Sequence, residues 1–313
     1  MIFNAELFQG TDDLDQAREL FRANISQVEI ETHSYCNRRC GYCPNVVGDR
    51  LGPNARMPDD IFDRIMRDLK DIDFSGVIVL SNYNEPLADR QIVERIAQTR
   101  AHLPKSDIHI YTNGDYLTPD LLEDLAKAGL NYMHISIHMR PDDVYSDVYA
   151  LERMTEVCAR IGRGMKLKGI QAGQLVAGRV PHRTISIDIR AVNYWQLGLD
   201  RGGVIEGVAR PPERRAACYY PFKNFTIGYT GSVVPCCQMR SDVPQHAKNQ
   251  IGTIRADEPI YLIYARSAAA AWRRAMVGDR PRGGPCQHCA AGEIGAESAF
   301  GQALLKLGQI FPA

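Results

Sequence analysis

The sequence predicts an α/β protein whose parallel strands curl into a barrel or half-barrel around a polar interior. Three observations lead there. Strand-like and helix-like segments alternate through the first two thirds of the chain, which calls for crossover connections and a parallel sheet. Four of the strand segments alternate polar and apolar residues, whereas parallel strands covered on both faces read as continuous apolar runs. With 313 residues and 45% hydrophobic composition, the chain can bury a full core as one large domain or one and a half.

In order, the strand segments are VEIETH (28–33), GVIVLSNY (76–83), DIHIYTNG (107–114), YMHISIH (132–138), LKGIQAG (167–173) and TISIDIRAV (184–192). Between them, DDIFDRIMRDLK (59–70) carries apolar residues at helical spacing. The segment 118–128 opens with a Thr-Pro pair suited to an N-cap and first helical position, and 89–102 and 151–162 also read as helices. Residues 201–217, rich in Gly, Arg and Pro, read as a linker, and beyond them short segments are punctuated by cysteines.

The alternation puts Glu29, Glu31 and His33 on one face of the first strand, then His109, Tyr111 and Asn113, then His134, Ser136 and His138, then Ser186, Asp188 and Arg190 on the later ones. If helices cover the opposite faces of Ile, Val and Met, these polar faces line a wet cavity with its site at the C-terminal strand ends. Within that lumen Glu31, His33, His109, Tyr111, Asp188 and Arg190 are candidate substrate contacts. Their mixture suits a small hydroxylated or charged molecule such as a sugar, aminocyclitol or nucleotide.

Lys+Arg and Asp+Glu balance at 37 each, so the whole chain lacks the basic footprint of a nucleic-acid binder, and no nucleic-acid partner is expected. Arg201, Arg210, Arg214 and Arg215 could grip a phosphate, although a basic linker is more often solvated. No apolar run approaches a membrane span, and the N-terminus MIFNAELFQGTDDLDQ is acidic where a signal peptide starts basic. The expectation is therefore a cytoplasmic protein with no membrane association. Nine cysteines in a reducing compartment point to metal or redox chemistry rather than disulfides.

The stretch HSYCNRRCGYC gathers Cys36, Cys40 and Cys43. Three thiolates can hold three irons of a 4Fe-4S cube and leave the fourth iron open; a zinc site or structural cysteines are the other readings. The segment resembles the radical SAM superfamily, whose C-x-x-x-C-x-aromatic-C signature is matched by Cys36, Cys40, Tyr42 and Cys43 straight after a first strand. The resemblance implies a partial (β/α)6 TIM-like barrel over 26–200, preceded by an N-terminal extension (1–25). It also implies S-adenosyl-L-methionine at the open iron. SNYNEPL stands where the family often has a Gly-Gly-Glu-Pro-like turn, which makes Asn84 and Glu85 candidate cofactor contacts although Tyr83 and Asn84 replace the glycines. Asn113 in YTNG, Ser136 and His138 in ISIHM, and Tyr42 beside the cluster complete the implied cofactor set.

A second group comprises Cys218, Cys236, Cys237, Cys286 and Cys289. Cys218, Cys236, Cys286 and Cys289 could complete a closed 4Fe-4S cluster. The pattern resembles the SPASM domain in its shortened, one-cluster twitch form, which implies an auxiliary-cluster domain over 218–292 and a C-terminal helix or tail over 293–313. A small zinc ribbon is the competing reading, with His288 a conceivable substitute ligand. Cys237 is left over as a spare neighbour, an alternate for Cys236, or a hydrogen-atom donor beside the cavity; Cys158 reads as core.

The family implies that the reduced cluster cleaves S-adenosylmethionine to a 5'-deoxyadenosyl radical, which abstracts hydrogen from a substrate carbon, with a reducing protein such as flavodoxin or ferredoxin supplying electrons. The first expectation is thus a radical dehydrogenase or epimerase acting on a small polar metabolite. A peptide-modifying maturase is the second, and a non-catalytic iron-sulfur or zinc-binding scaffold the third.

Overall fold

The computed structural model describes residues 3–48, 50, 52–140, 144–294 and 297–310; residues 1, 2, 295, 296 and 311–313 of the two expected terminal segments lie outside them. The chain begins with α1 (Ala5–Gln9) and α2 (Leu14–Asn24), then runs β1 (Gln27–Ile30), α3 (Asp59–Asp71), β2 (Val77–Val79), α4 (Gln91–His102), β3 (Asp107–Thr112), α5 (Pro119–Ala128), β4 (Tyr132–Ile137) and α6 (Asp147–Arg160). It continues through β5 (Lys166–Gln171), β6 (Leu175–Val180), β7 (Ser186–Val192), α7 (Tyr194–Leu197), α8 (Tyr220–Lys223), β8 (Asn224–Ile227), β9 (Ser232–Val234), α9 (Pro244–Ala247), β10 (Gly252–Thr253), α10 (Ile260–Ala265), α11 (Ser267–Ala275) and α12 (Ala299–Ile310).

Helix starts follow local chemistry. Thr118 accepts from the Leu121 amide ahead of Pro119, as the Thr-Pro pair foretold. Ser146 caps α6 by accepting from the Tyr149 amide, so that helix begins four residues before the apolar periodicity shows it.

All ten strands form one sheet in the order β10-β9-β8-β1-β2-β3-β4-β7-β6-β5. Six of them, β8 through β7, are mutually parallel and form the partial barrel. Strand parity separates the two faces: Val28, Ile30, Ile108, Ile110, Met133, Ile135, Ile187 and Ile189 are buried in the core under the helices, while Glu29, Tyr111, His134, Ser136 and Arg190 line a cavity on the other side.

Two strands differ from expectation. The segment expected at 167–173 is the outer arm of an antiparallel hairpin on β6, and every residue of β5 is exposed. The sixth parallel strand is instead β8, from the cysteine-punctuated region, paired with β1 from Gln27↔Asn224 to Ile30↔Ile227. The sheet therefore passes unbroken through the expected linker and domain boundary. Phe21 of α2 packs edge-on against Phe225, Tyr261 and Tyr264 at 5.2, 5.5 and 5.6 Å, so the N-terminal extension and the C-terminal helices share one core. Asp68 of α3 accepts from the Ile260 amide at 2.8 Å, capping α10 from across the molecule. Among the described residues no helix is long and apolar enough to cross a membrane.

Candidate active site

Cys36, Cys40 and Cys43 lie on the loop that leaves β1, and the end of β3 braces that loop. Arg38 makes a two-pronged ion pair with Asp115 at 2.7 and 2.8 Å, Asn37 donates to Asp115 at 2.9 Å, and Asn113 donates to Asn37 at 2.8 Å. Burial pushes the Cys36 thiol up to about 12 and Cys40 to about 11, and each feels the neighbouring thiols as like charges. Such a trio becomes stably ionised when a metal centre supplies the countercharge. No three His, Cys, Asp or Glu side chains among the described residues converge closely enough for a single ion, and a cube of four irons spreads its ligands more widely than one tetrahedral zinc.

The cavity beside this loop has a volume of about 870 Å³. All the implied cofactor residues, Tyr42, Asn84, Glu85, Asn113, Ser136 and His138, lie on its wall. The buried Asn84 has an amide nitrogen without a hydrogen-bond partner, an unsatisfied donor on a residue of the cavity wall. Glu85 is more committed: it accepts from the Leu87 amide at 3.0 Å, the Thr112 hydroxyl at 2.5 Å and the Asn113 amide at 2.7 Å. Its carboxylate chiefly ties the loop after β2 to the end of β3, with one acceptor position of about four remaining. Tyr42 meets His138 Nδ1 at 2.8 Å and packs against Tyr194 (4.8 Å) and Trp195 (5.7 Å). Burial and the nearby Arg38 push His138 down to about 4, keeping the ring neutral near pH 7.

Of the substrate candidates, Tyr111 and Arg190 line the cavity, the latter donating to His134 Nε2 at 2.9 Å. Four others do not reach it. Glu31 follows the end of β1 and is taken by Arg50 at 3.0 and 3.2 Å, because the incoming cysteine loop brings that guanidinium beneath it. His33 is buried where the chain has left the strand, with Nδ1 3.1 Å from Asn54. His109 lies lower on β3, 2.8 Å from Asp107 and with its ring against Tyr132 at 4.8 Å. Asp188 is paired with Lys168 and Arg179, both at 3.3 Å, as the exposed hairpin folds over it.

Of the second cysteine group, Cys237 lines the same cavity and the other four lie behind its lining. Cys236 is buried with Val234 and Met239, flanked by Tyr220, Trp272 and Cys286. Its thiol feels those of Cys237, Cys286 and Cys218, and Cys286 in turn feels Cys218 and Cys289. Gly292 approaches closely at φ +64: a Cβ there would sit 3.0 Å from Cys218 Sγ and 2.6 Å from Tyr220. The Arg214 guanidinium binds the carbonyls of Ala216 (3.0 Å), Cys289 (3.0 Å), Ala291 (2.6 Å) and Ala217 (2.7 Å), so this arginine of the expected linker is buried architecture and not a phosphate grip. Cys237 turns the other way, onto the cavity wall. Cys158 is in the core on α6.

Sequence reasoning passed over several wall residues. Tyr83 was noted only for replacing a glycine, yet its hydroxyl donates to the Cys237 carbonyl at 2.7 Å, a contact no glycine could make. Tyr194 and Trp195 directly follow β7, and their aromatic pairing at a strand end was a usable signal. Arg201, one of the four arginines that could grip a phosphate, does reach the cavity from the expected linker.

A sequence model of the radical SAM superfamily matches residues 30–166, and one of the SPASM iron-sulfur cluster-binding domain matches 218–290. The chain belongs to the radical SAM superfamily and carries a C-terminal SPASM domain. It is 26% identical over 267 residues, covering 85% of this chain and 92% of the relative, to the S-adenosyl-L-methionine-dependent 2-deoxy-scyllo-inosamine dehydrogenase of Niallia circulans. It is 32% identical over 146 residues to the GTP 3',8-cyclase of Clostridium acetobutylicum, covering 46% of this chain and 44% of that one. The structure of BtrN in complex with AdoMet and 2-DOIA shares the fold with a TM-score of 0.58 at 22% identity, covering 80% of this chain and 87% of BtrN. The thiol sets and the unpartnered donor of Asn84 fit the two 4Fe-4S clusters and S-adenosylmethionine of this superfamily.

Proposed function

We propose that this enzyme oxidises a carbinol carbon of a small, polyhydroxylated, amine-bearing substrate such as an aminocyclitol or amino sugar. The observation that carries the reading is one cavity lined both by the open-site cysteines Cys36, Cys40 and Cys43 and by Cys237, the neighbour of Cys236. The 26% identity that runs through 92% of a 2-deoxy-scyllo-inosamine dehydrogenase supports it.

Cys36, Cys40 and Cys43 would hold the first cluster, and Cys218, Cys236, Cys286 and Cys289 the second. When bound, the first cluster with S-adenosylmethionine supplies a 5'-deoxyadenosyl radical and the second supplies an electron acceptor. The protein's own part is placement. Asn84 Nδ2 offers a donor to the cofactor's methionyl end, and the ring set Tyr42, His138, Tyr194 and Trp195 offers a flat apolar wall for its adenosyl end. Arg190, held by His134, points a fixed donor at the substrate's hydroxyls, and Tyr111 closes the wall beside it. A low-potential flavodoxin or ferredoxin would deliver electrons, and a cytoplasmic setting would keep all nine thiols reduced.

The position of Cys237 favours epimerisation as a second reading. Its thiol could give a hydrogen atom to the substrate carbon from the face opposite the abstraction, the sulfur then regaining an electron from the reductant and a proton from solvent. Turnover in D2O separates the two. An oxidised product without solvent label supports oxidation; a labelled, redox-neutral product whose label disappears in Cys237→Ala supports epimerisation and overturns the first reading.

A further inference from the structure

We infer that Glu29 is the anchor for the substrate's ammonium group and the residue that selects an amine over a hydroxyl; this rests on the small-molecule reading above. Glu29 is buried on β1 and lines the cavity. Other acidic side chains around the site have a cation already: Glu31 has Arg50, Asp115 has Arg38, Asp188 has Lys168 and Arg179. Glu85 has none, but amides and a hydroxyl satisfy it. Glu29 has neither. One oxygen accepts from Gln27 at 2.5 Å, the Thr226 hydroxyl lies 3.5 Å from the other, the weakly donating Cys237 thiol is within hydrogen-bonding reach, and no ion pair to it forms among the described residues.

A carboxylate taken out of water needs a partner charge or a full set of donors. Glu29 faces open cavity, so a ligand can bring that charge. An ammonium fits as a compact cation with three donors, of which one can meet the under-used oxygen while the others meet polar wall groups. A hydroxyl in the same place brings one donor and no charge, so the buried group must either stay an uncompensated carboxylate or take up a proton. Discrimination by this kind of site is large because its polar group is left unpaired with the wrong ligand. The adjoining wall suits such a ligand. Thr226 and Asn224 of β8 and Gln27 of β1 surround Glu29 with uncharged polar groups, whereas of the three arginines of the cavity Arg38 is paired with Asp115, and Arg190 and Arg201 lie on other elements and suit hydroxyls.

The test measures binding by calorimetry to the anaerobically reconstituted enzyme with S-adenosylmethionine present. The probes are 2-deoxy-scyllo-inosamine and glucosamine, each beside the counterpart with a hydroxyl in place of the amine. The wild type is expected to prefer the amines at least tenfold, Glu29→Gln to lose that preference, and Glu29→Asp to retain it at reduced affinity. Iron content and the urea midpoint report whether each variant is folded and loaded. A wild-type preference that persists in Glu29→Gln overturns the inference and leaves the small-molecule reading standing. If Glu29→Gln fails to fold, loss of the preference in Glu29→Asp overturns it equally. A wild type that binds none of the four probes removes the aminated-substrate reading and this inference together.

Discussion

The hydroxyl of Tyr83 donates a 2.7 Å hydrogen bond to the carbonyl of Cys237, 154 residues further along the chain. It joins the turn after β2, which carries Asn84 and Glu85, to the hairpin that carries Cys236. The two cysteine groups are thereby held across one cavity by a side chain that replaces the glycine of the superfamily's usual turn. Tyr83→Phe leaves the carbonyl unpaired, and we expect a loss of about 1–2 kcal/mol in stability. Substrate-free cleavage of S-adenosylmethionine should continue while product formed per cofactor cleaved falls. Anaerobic urea unfolding and product-to-cofactor ratios check the two parts.

Cys236 and Cys237 are adjacent in sequence and face opposite ways. Cys236→Ala is expected to lower the iron content by up to about four per chain, and Cys237→Ala to leave it unchanged. Equal loss in the two variants would mean that the thiols exchange places.

Arg214 spends its guanidinium on four carbonyls around the second cysteine set. Arg214→Ala should destabilise the protein by about 3 kcal/mol, since several buried acceptors lose a charged donor. The auxiliary-cluster absorbance should bleach first in urea. Arg210→Ala, at an exposed position nearby, should do neither.

Burial holds the Glu29 carboxyl up to about 7, against an ordinary 4.5. The folded chain binds that proton more tightly than the unfolded one, so its stabilising effect is full below about pH 4.5 and is lost as pH rises through 7. His134, pushed down to about 3 by burial and Arg190, acts oppositely below neutrality, so the comparison must be with Glu29→Gln at each pH. The stability of wild type relative to that variant should fall by on the order of 3 kcal/mol between pH 4.5 and 8. A difference that stays flat contradicts the raised value.

The strands that set the site were legible where they alternate over six or seven residues, as in β3, β4 and β7, because period two fixes both the element and its inward face. The cysteines were legible because their spacing is itself the chemistry. What the pattern could not show is where the chain leaves the strand. Glu31 and His33 continue the parity of Glu29, yet the loop turns there and Arg50 arrives from nineteen residues on. The four-residue β8 was too short to announce itself as a barrel strand, and Arg214 looked like a solvated linker charge because its partners are backbone carbonyls that carry no sequence signal.

The most direct test compares wild type with the protein in which Cys36, Cys40 and Cys43 are all changed to Ala, each reconstituted anaerobically and analysed for iron, sulfide, zinc and 5'-deoxyadenosine formed under strong reductant. The account predicts about eight irons and reductive cleavage of S-adenosylmethionine in the wild type, falling to about four irons and no cleavage in the variant. Zinc in place of iron at both sets, or 5'-deoxyadenosine formed without those three thiols, would contradict it.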